Sequence, residues 1–534
     1  MQEQNIIIKD WRRIDVSFGL VYPNIYSVAM ASYSVRLIYS LINTYENLAC
    51  ERIFLPDKLR YPASKDYHSE DTIRSIETGR HPKEFDVLGF SIQFENDFRN
   101  ILWLLNKANI PLLSEDRLKT RKTNSLEFPV IIGGGPVSTS NPKPLSRIFD
   151  GFVIGDFEPN LVNFFEVILN YKEESLDFEK LMQNLADIQG FYIPFLKNKP
   201  NRIVIKNLDK SLIPRYQLIA KNSSQKRTLV DSYFLEINRG CPFNCKFCIS
   251  SYHNRPFRNR SYENIKTTLE EAVDYTDFNR VSLIGSCVSA HPRFNDICEF
   301  IIRKGKELSI PSIRIEHLTD NIIEILARGK IKTITIAPET GSEKLRFALG
   351  KQISDQQIYD RINLIKDSDI KNIKMYFLIG LPSETEDDIE RTIEMIKRFN
   401  KLGFNKNSLR ISINPMIPKL NTPYQKKVSY YVDKNENLLS LRLNKIKKEL
   451  EGLKSISLKI GKIRELIRQA RLQTLFSLGD EKVSEILIDY YKKGATYGAL
   501  KNIQNQQDYS INDYLLKVQS CYSPWNWELI ERKI

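Results

Sequence analysis

Glu236-Ile-Asn-Arg-Gly-Cys241-Pro-Phe-Asn-Cys245-Lys-Phe-Cys248 is the stretch on which the reading of this 534-residue chain turns. Three of the seven cysteines lie within eight residues, spaced C-x3-C-x2-C. Thiolates this close on one loop converge on a single soft metal centre. A closed iron–sulfur cubane takes four thiolates, so three leave one iron open to the nitrogen and oxygen of a small molecule. The other reading of the same residues is a structural zinc loop, with His253 beyond Cys248 as a fourth ligand. Structural zinc normally takes four N or S ligands, usually as two short pairs, and a second C-x-x-C pair is missing here.

The spacing, Phe247 just before the last cysteine and the leading Asn238-Arg-Gly240 together resemble the radical S-adenosylmethionine (SAM) superfamily. The resemblance implies that Cys241, Cys245 and Cys248 hold a [4Fe-4S] cluster whose open iron chelates the amino and carboxylate groups of SAM. It also implies reductive cleavage of SAM to methionine and a 5′-deoxyadenosyl radical, which abstracts hydrogen from a substrate carbon. The electron would come from a reductant such as ferredoxin or flavodoxin.

On the carboxyl side, strand-like runs recur at Ser232–Asn238, Arg280–Gly285, Ser312–His317, Lys332–Pro338, Ile373–Gly380 and Leu409–Asn414, with helical patterns between them. The resemblance makes residues 228–425 an open, partial (β/α)6 barrel. By analogy with closed βα barrels, its chemistry lies at the carboxyl ends of the strands. After the second strand comes Gly285-Ser286-Cys287, where the superfamily usually has a Gly-Gly-Glu-like turn at the SAM amino group. Cys287 stands at the acidic position, so Gly285 and Ser286 are expected to act through their backbone. Cys287 itself reads as a small buried hydrophobe, with an extra active-site thiol as the alternative. Glu339 in Ala337-Pro-Glu-Thr-Gly341 is expected at the SAM ribose, because a carboxylate accepts from both hydroxyls. In Gly380-Leu-Pro-Ser-Glu-Thr385, Gly380 is expected to let the backbone approach adenine, and Ser383 or Thr385 to cap the next helix. Asn414 to Tyr424 resembles a family segment that closes over substrate. His291 and His317 read as hydrogen-bonded structural residues.

Residues 1–210 alternate strands with helices, which implies a Rossmann-like parallel α/β sheet. Strand candidates Asp15–Tyr22, Phe85–Gln93, Phe128–Gly135 and Phe149–Asp156 place Ser91, Gly133–Gly135 and Gly155–Glu158 along one rim. This half resembles the cobalamin (B12)-binding-type domain that precedes the barrel in one branch of the superfamily. The resemblance rests on Gly133-Gly134-Gly-Pro136 and on Asp150 with Gly155-Asp-Phe-Glu158, and it implies Gly133 and Gly134 as cofactor contacts. The D-x-H-x-x-G signature that gives cobalt an axial histidine is absent, and Asp66-Tyr-His68-Ser-Glu-Asp71 echoes it without the glycine. Gly190–Phe195 and Arg202–Lys206 read as the two arms of a short hairpin.

Residues 426–534 read as a basic helical domain. Leu439, Leu443, Ile446, Leu450 and Leu453 form one apolar stripe. From Lys426 to Arg471 thirteen Lys or Arg face five Asp or Glu, which is +8 of the chain's net +14. Such a face could meet RNA, anionic lipid or an acidic electron donor, and a solvated helix surface is the plainer reading. The polar start of the chain lacks a signal-peptide pattern, no apolar run suits a transmembrane segment, and the scattered remaining cysteines suggest no disulfide framework. The expectation is a cytoplasmic protein.

Taken together, these features point to a radical SAM enzyme. Cobalamin-dependent methyl transfer is the alternative within enzymes. Methylthiolation is disfavoured, since Cys50 is the lone cysteine before the barrel and those enzymes carry a second cysteine triad there. The non-enzymatic alternative is an Fe–S or zinc-stabilised protein that binds nucleic acid through its basic helices.

Overall fold

Val16–Ile25 is buried on both faces over most of its length. Such a strand belongs inside a parallel sheet with helices on both sides. It is β1 of a six-stranded sheet with β2 (Leu48–Leu55), β3 (Val87–Ser91), β4 (Val130–Gly134), β5 (Gly151–Val153) and β6 (Phe191–Tyr192). The spatial order is β2-β1-β3-β4-β5-β6, parallel except for the last pair. The strand order reverses between β1 and β3, and open sheets of this kind bind ligands at that point, beyond the carboxyl ends.

This computed structural model describes residues 2–57, 72–121, 127–174, 177–221, 229–426 and 436–506. These described residues fall into two compact units, one of residues up to 231 and 475–506, the other of 232–474. The segment Asp66–Asp71, with its His68, lies outside the described residues.

The expected hairpin between Gly190 and Lys206 does not form. Phe191–Tyr192 pairs with β5, and Ile203 instead bridges Gly155 in parallel. Gly155 has φ +107°, and a Cβ there would stand 2.1 Å from the Ile203 carbonyl oxygen, so the approach needs glycine.

The second unit carries β7 (Tyr233–Glu236), β8 (Arg280–Ile284), β9 (Glu307–Ser309), β10 (Thr333–Glu339), β11 (Asn372–Ile379), β12 (Leu409–Pro415) and β13 (Ile456–Lys459). They make two parallel sheets, ordered β9-β8-β7 and β10-β11-β12-β13. The third strand forms earlier than its expected place at Ser312–His317. Pro311 removes a ladder donor after Ser309, and Ile315–His317 turns into a 3-10 helix. Along β11, Ile373, Met375, Phe377 and Ile379 are buried, while Lys374, Tyr376 and Leu378 on the other face stay half-buried. On β12 the exposed residues are Arg410 and Asn414. A closed βα barrel fills its interior with packed side chains. Here one face of the second sheet keeps polar groups within reach of solvent.

The described part of residues 426–534 is divided between the two units at Leu475. The helix Glu436–Leu450 buries its stripe of Leu439, Leu443, Ile446 and Leu450 against the helix Glu386–Lys401. Ile456–Lys459 then extends the sheet beside β12 as β13. From Leu475 the chain belongs to the first unit, where the helix Lys482–Lys492 packs on the helix Phe98–Lys107. An amphipathic helix must cover its stripe, and neighbouring helices supply the cover.

The first unit also hides an ion network. Arg52 on β2 has no side-chain exposure and donates to Glu3 at 2.7 Å and to Glu77 at 2.6 Å. Both carboxylates are buried, so removing the guanidinium strands two charges away from water. Arg52→Met should lower unfolding free energy by about 3–5 kcal/mol in a urea titration. Arg12→Ala, at the exposed Asp10 pair, should leave the midpoint in place.

Candidate active site

The cysteine loop begins and ends on a short ladder. Asn238 and Arg239 pair antiparallel with Asn259 and Arg258, closing the loop at its base. Gly240 follows with φ +79°, and a Cβ there would meet the Asn254 carbonyl oxygen at 2.3 Å and that of Pro256 at 2.7 Å. Only glycine fits that turn. Further along, the Lys246 amide donates to the Leu349 carbonyl at 2.9 Å, and the Tyr424 amide donates to the Lys246 carbonyl at 3.2 Å. Phe247 packs against Leu345, Leu349, Leu381, Met416 and Tyr424. The loop is therefore held from β10, β11 and β12 as well as from its own base.

Cations stand beside its thiols. The Arg314 guanidinium lies 3.6 Å over the Phe243 ring, with Nη1 3.9 Å from Cys245 Sγ. Lys351 acts on the same thiol, and its Nζ donates to Glu339 Oε1 at 2.6 Å and to the Ala337 carbonyl at 2.7 Å. Burial pushes the Cys245 thiol up, while Lys351 and Arg314 pull it back toward the thiolate. The neighbouring Cys287 thiol together with burial pushes the Cys241 thiol up, and the Cys241 thiol draws Cys287 down to about 7. Among the described residues no set of three or more His, Cys, Asp or Glu side chains stands gathered around a metal position. The donor set nevertheless suits an anionic iron–sulfur cluster, since three thiols share one anchored loop and two cations offset their charge.

The residues expected at SAM divide into two groups. Gly285 and Ser286 follow β8 directly, beside the loop. A Cβ on Gly285 would stand 2.1 Å from Asn238 Oδ1, an oxygen that is buried without a hydrogen-bond partner. Asn238 Nδ2 donates to the Cys287 carbonyl at 2.9 Å. Glu339 is buried in a left-handed conformation, φ +69°, and reaches the thiol loop through Lys351. Gly380 lies apart from these contacts, inside a turn fixed by Glu384. The Gly380 amide donates to Glu384 Oε2 at 2.9 Å, Arg442 donates to the same oxygen at 3.0 Å, and desolvation raises Glu384 to about 7. Thr385 caps the following helix through a capping box with Asp388.

Arg314, Lys351 and Arg442 were not singled out by sequence reasoning, and Asn238 only as part of the leading Asn238-Arg-Gly240. Arg442 belongs to the basic stretch but is 5 % exposed and spent on Glu384, while Lys445 pairs with Glu390. Part of the expected basic face is thus consumed inside the unit. His253, the candidate fourth zinc ligand, is buried with Nε2 against the Leu420 carbonyl at 2.8 Å. His291 uses both ring nitrogens, on the Arg260 carbonyl and the Arg293 amide. His317 Nδ1 meets Ser289 Oγ at 2.9 Å, and its ring lies 5.8 Å from that of Phe243.

In the first unit, the reversal between β1 and β3 carries a chain of polar groups. Ser34 and Ser91 hydroxyls meet at 2.9 Å, and Gln93 Nε2 donates to both, at 3.2 and 3.1 Å. Gly134 faces open space, whereas a Cβ on Gly133 would strike the Phe152 ring at 2.7 Å. Gly133 serves packing and Gly134 leaves room on the rim. Nearby, buried Asp97 accepts from Asn24 at 3.0 Å and Asn100 at 3.3 Å, and desolvation lifts its carboxyl to about 7.

The profile of the radical SAM superfamily matches residues 235–396, and that of the N-terminal region of radical SAM proteins matches 34–194. An uncharacterised protein of Methanocaldococcus jannaschii is 29% identical over 483 residues, 89% of this chain and 91% of that one. Among solved structures, the radical SAM methyltransferase TsrM from Kitasatospora setae, with cobalamin and a [4Fe-4S] cluster bound, gives a TM-score of 0.55 at 12% identity. It covers 92% of this chain and 99% of its own. The cobalamin-dependent SAM radical enzyme OxsB, with aqua-cobalamin and SAM bound, gives 0.53 at 12% identity over 96% of this chain and 79% of its own. At these identities the likeness is one of fold.

Two outcomes follow from this geometry. Gly240→Ala should keep the far-ultraviolet circular dichroism of the parent but lose iron binding on anaerobic reconstitution, because the loop base cannot close around a Cβ. Asp97 has a folded pKa above its unfolded one, so the folded state binds the extra proton and stability falls as pH rises from about 4 to about 7. Asp97→Asn should flatten that slope in denaturation curves taken across the window.

Proposed function

The chain belongs to the radical SAM superfamily, and on that premise we propose that it reductively cleaves SAM at the Cys241–Cys248 loop to start hydrogen abstraction from a substrate. The observation that carries this reading is the anchored three-thiol loop with Arg314 and Lys351 beside it. A [4Fe-4S] cluster bound there supplies the electron that splits SAM into methionine and the 5′-deoxyadenosyl radical. Cys241, Cys245 and Cys248 would hold such a cluster, and Arg314 and Lys351 would offset the thiolate charge. The Gly285-Ser286 turn offers backbone groups to the SAM amino acid. Glu339, steadied by Lys351, offers a carboxylate to the ribose, and Gly380 lets adenine approach the chain. The electron donor is a small reductant of the ferredoxin or flavodoxin kind.

The first unit favours a second reading, cobalamin-dependent methyl transfer. Its β2-β1-β3-β4-β5 order and the open rim at Ser34, Ser91, Gln93 and Gly134 suit a flat cofactor at the strand reversal. Nucleic-acid binding by the basic stretch would have to use its other cations, since Arg442 and Lys445 pair with Glu384 and Glu390.

The test is anaerobic reconstitution with dithionite and SAM, followed by mass spectrometry of products. 5′-Deoxyadenosine without S-adenosylhomocysteine supports hydrogen abstraction. Both products, rising with added cobalamin, support the methyl-transfer reading. Alanine at Cys241, Cys245 or Cys248 should each reduce SAM cleavage by more than the about 10–100-fold typical of residues behind a metal ligand. Undiminished cleavage in any of them contradicts the proposal.

A further inference from the structure

A fourth thiol stands at the cysteine loop. Cys287 follows β8 and is 6 % exposed. Its main chain is fixed there. The Cys287 carbonyl accepts from Asn238 Nδ2 at 2.9 Å and from the Ala290 amide at 3.1 Å. Asn238 sits in the ladder at the base of the cysteine loop, so one side chain ties the two segments together. The glycine at 285 makes the room for that side chain. Because its backbone cannot withdraw from the loop, Cys287 reaches toward or away from it by rotating its own side chain. Within the second unit, Cys298 is fully buried on the helix Phe294–Arg303.

An iron–sulfur cubane accepts four thiolates when four are offered. Thiolate is also a softer donor for iron than an amine or a carboxylate. We propose that the Cys287 thiolate is the fourth ligand of the cluster while SAM is absent, and that SAM displaces it. This rests on the reading that the triad carries a [4Fe-4S] cluster. In the exchange one iron–sulfur bond breaks, and one iron–nitrogen and one iron–oxygen bond form. The ammonium of SAM loses a proton as it becomes a ligand, and the departing thiolate takes one up. No electron moves. The released thiol has Ser289 Oγ 3.9 Å from its sulfur, and Ser289 is itself held by His317. Binding of SAM then opens the site, and a cluster without SAM presents no bare iron to oxygen.

The experiment is thiol alkylation of the full chain with iodoacetamide under anaerobic conditions, read by peptide mass spectrometry. Three states are compared: chelator-stripped protein, reconstituted protein, and reconstituted protein with SAM. Cys287 should react in the stripped protein, be protected together with the triad on reconstitution, and lose that protection when SAM is added while the triad keeps it. Protection of the triad without Cys287, or protection of Cys287 that SAM leaves unchanged, overturns the proposal. Failure to protect the triad overturns the cluster reading as well, which separates the two claims. As a second measurement, Cys287→Ser should change the electron paramagnetic resonance spectrum of the dithionite-reduced, SAM-free protein and leave the SAM-bound spectrum as in the parent. Identical spectra in both states count against the fourth ligand.

Discussion

Three thiolates on one loop repel each other, and a cluster held by them is anionic. The structure must therefore place positive charge beside the loop and keep it there. Arg314 and Lys351 do this from two different places in the chain. Arg314 follows β9, and the neighbouring Ile313 amide is pinned to the Thr335 carbonyl of β10 at 2.9 Å. Lys351 follows the helix Glu343–Ala348 and is fixed by Glu339 and the Ala337 carbonyl. Neither residue would stand near Cys245 without the parallel strands that carry them. The sheets of the second unit are thus a frame for charge as much as a hydrophobic core.

The same frame explains the buried polar groups around the loop. Glu236, at the end of β7, is buried and accepts from Arg239 at 2.7 Å and Arg260 at 2.9 Å, and its carboxyl is held below the ordinary range. Burial alone would raise it, and the two arginines outweigh burial. Breaking such a network leaves an unpaired charge away from water, so the ladder under the loop is costly to deform. Arg442 plays a comparable part for the Gly380 turn, and its partner Glu384 anchors the turn's first amide.

Much of this was legible in the sequence. The cysteine spacing pointed to the superfamily, and the alternation of strands and helices to parallel α/β architecture in both halves of the chain. Thr385 caps its helix as expected. What escaped the sequence depends on long-range packing. Arg442 looks like one more cation in a basic run, and only the fold shows it buried. Nothing near Lys351 or Arg314 in the chain announces a cysteine, because 106 and 69 positions separate them from Cys245. Gly133 and Gly134 look equivalent in a glycine run, yet one faces Phe152 and the other faces open space. The C-terminal stretch read as one helical domain because an apolar stripe says that a helix is covered, and not by what.

The most direct measurement of the central claim is iron and sulfide content with visible and electron paramagnetic resonance spectra of anaerobically reconstituted protein. A brown protein with about four iron and about four sulfide per chain, whose reduced spectrum shifts when SAM is added, is the predicted result. A colourless protein with one zinc and no sulfide would contradict it.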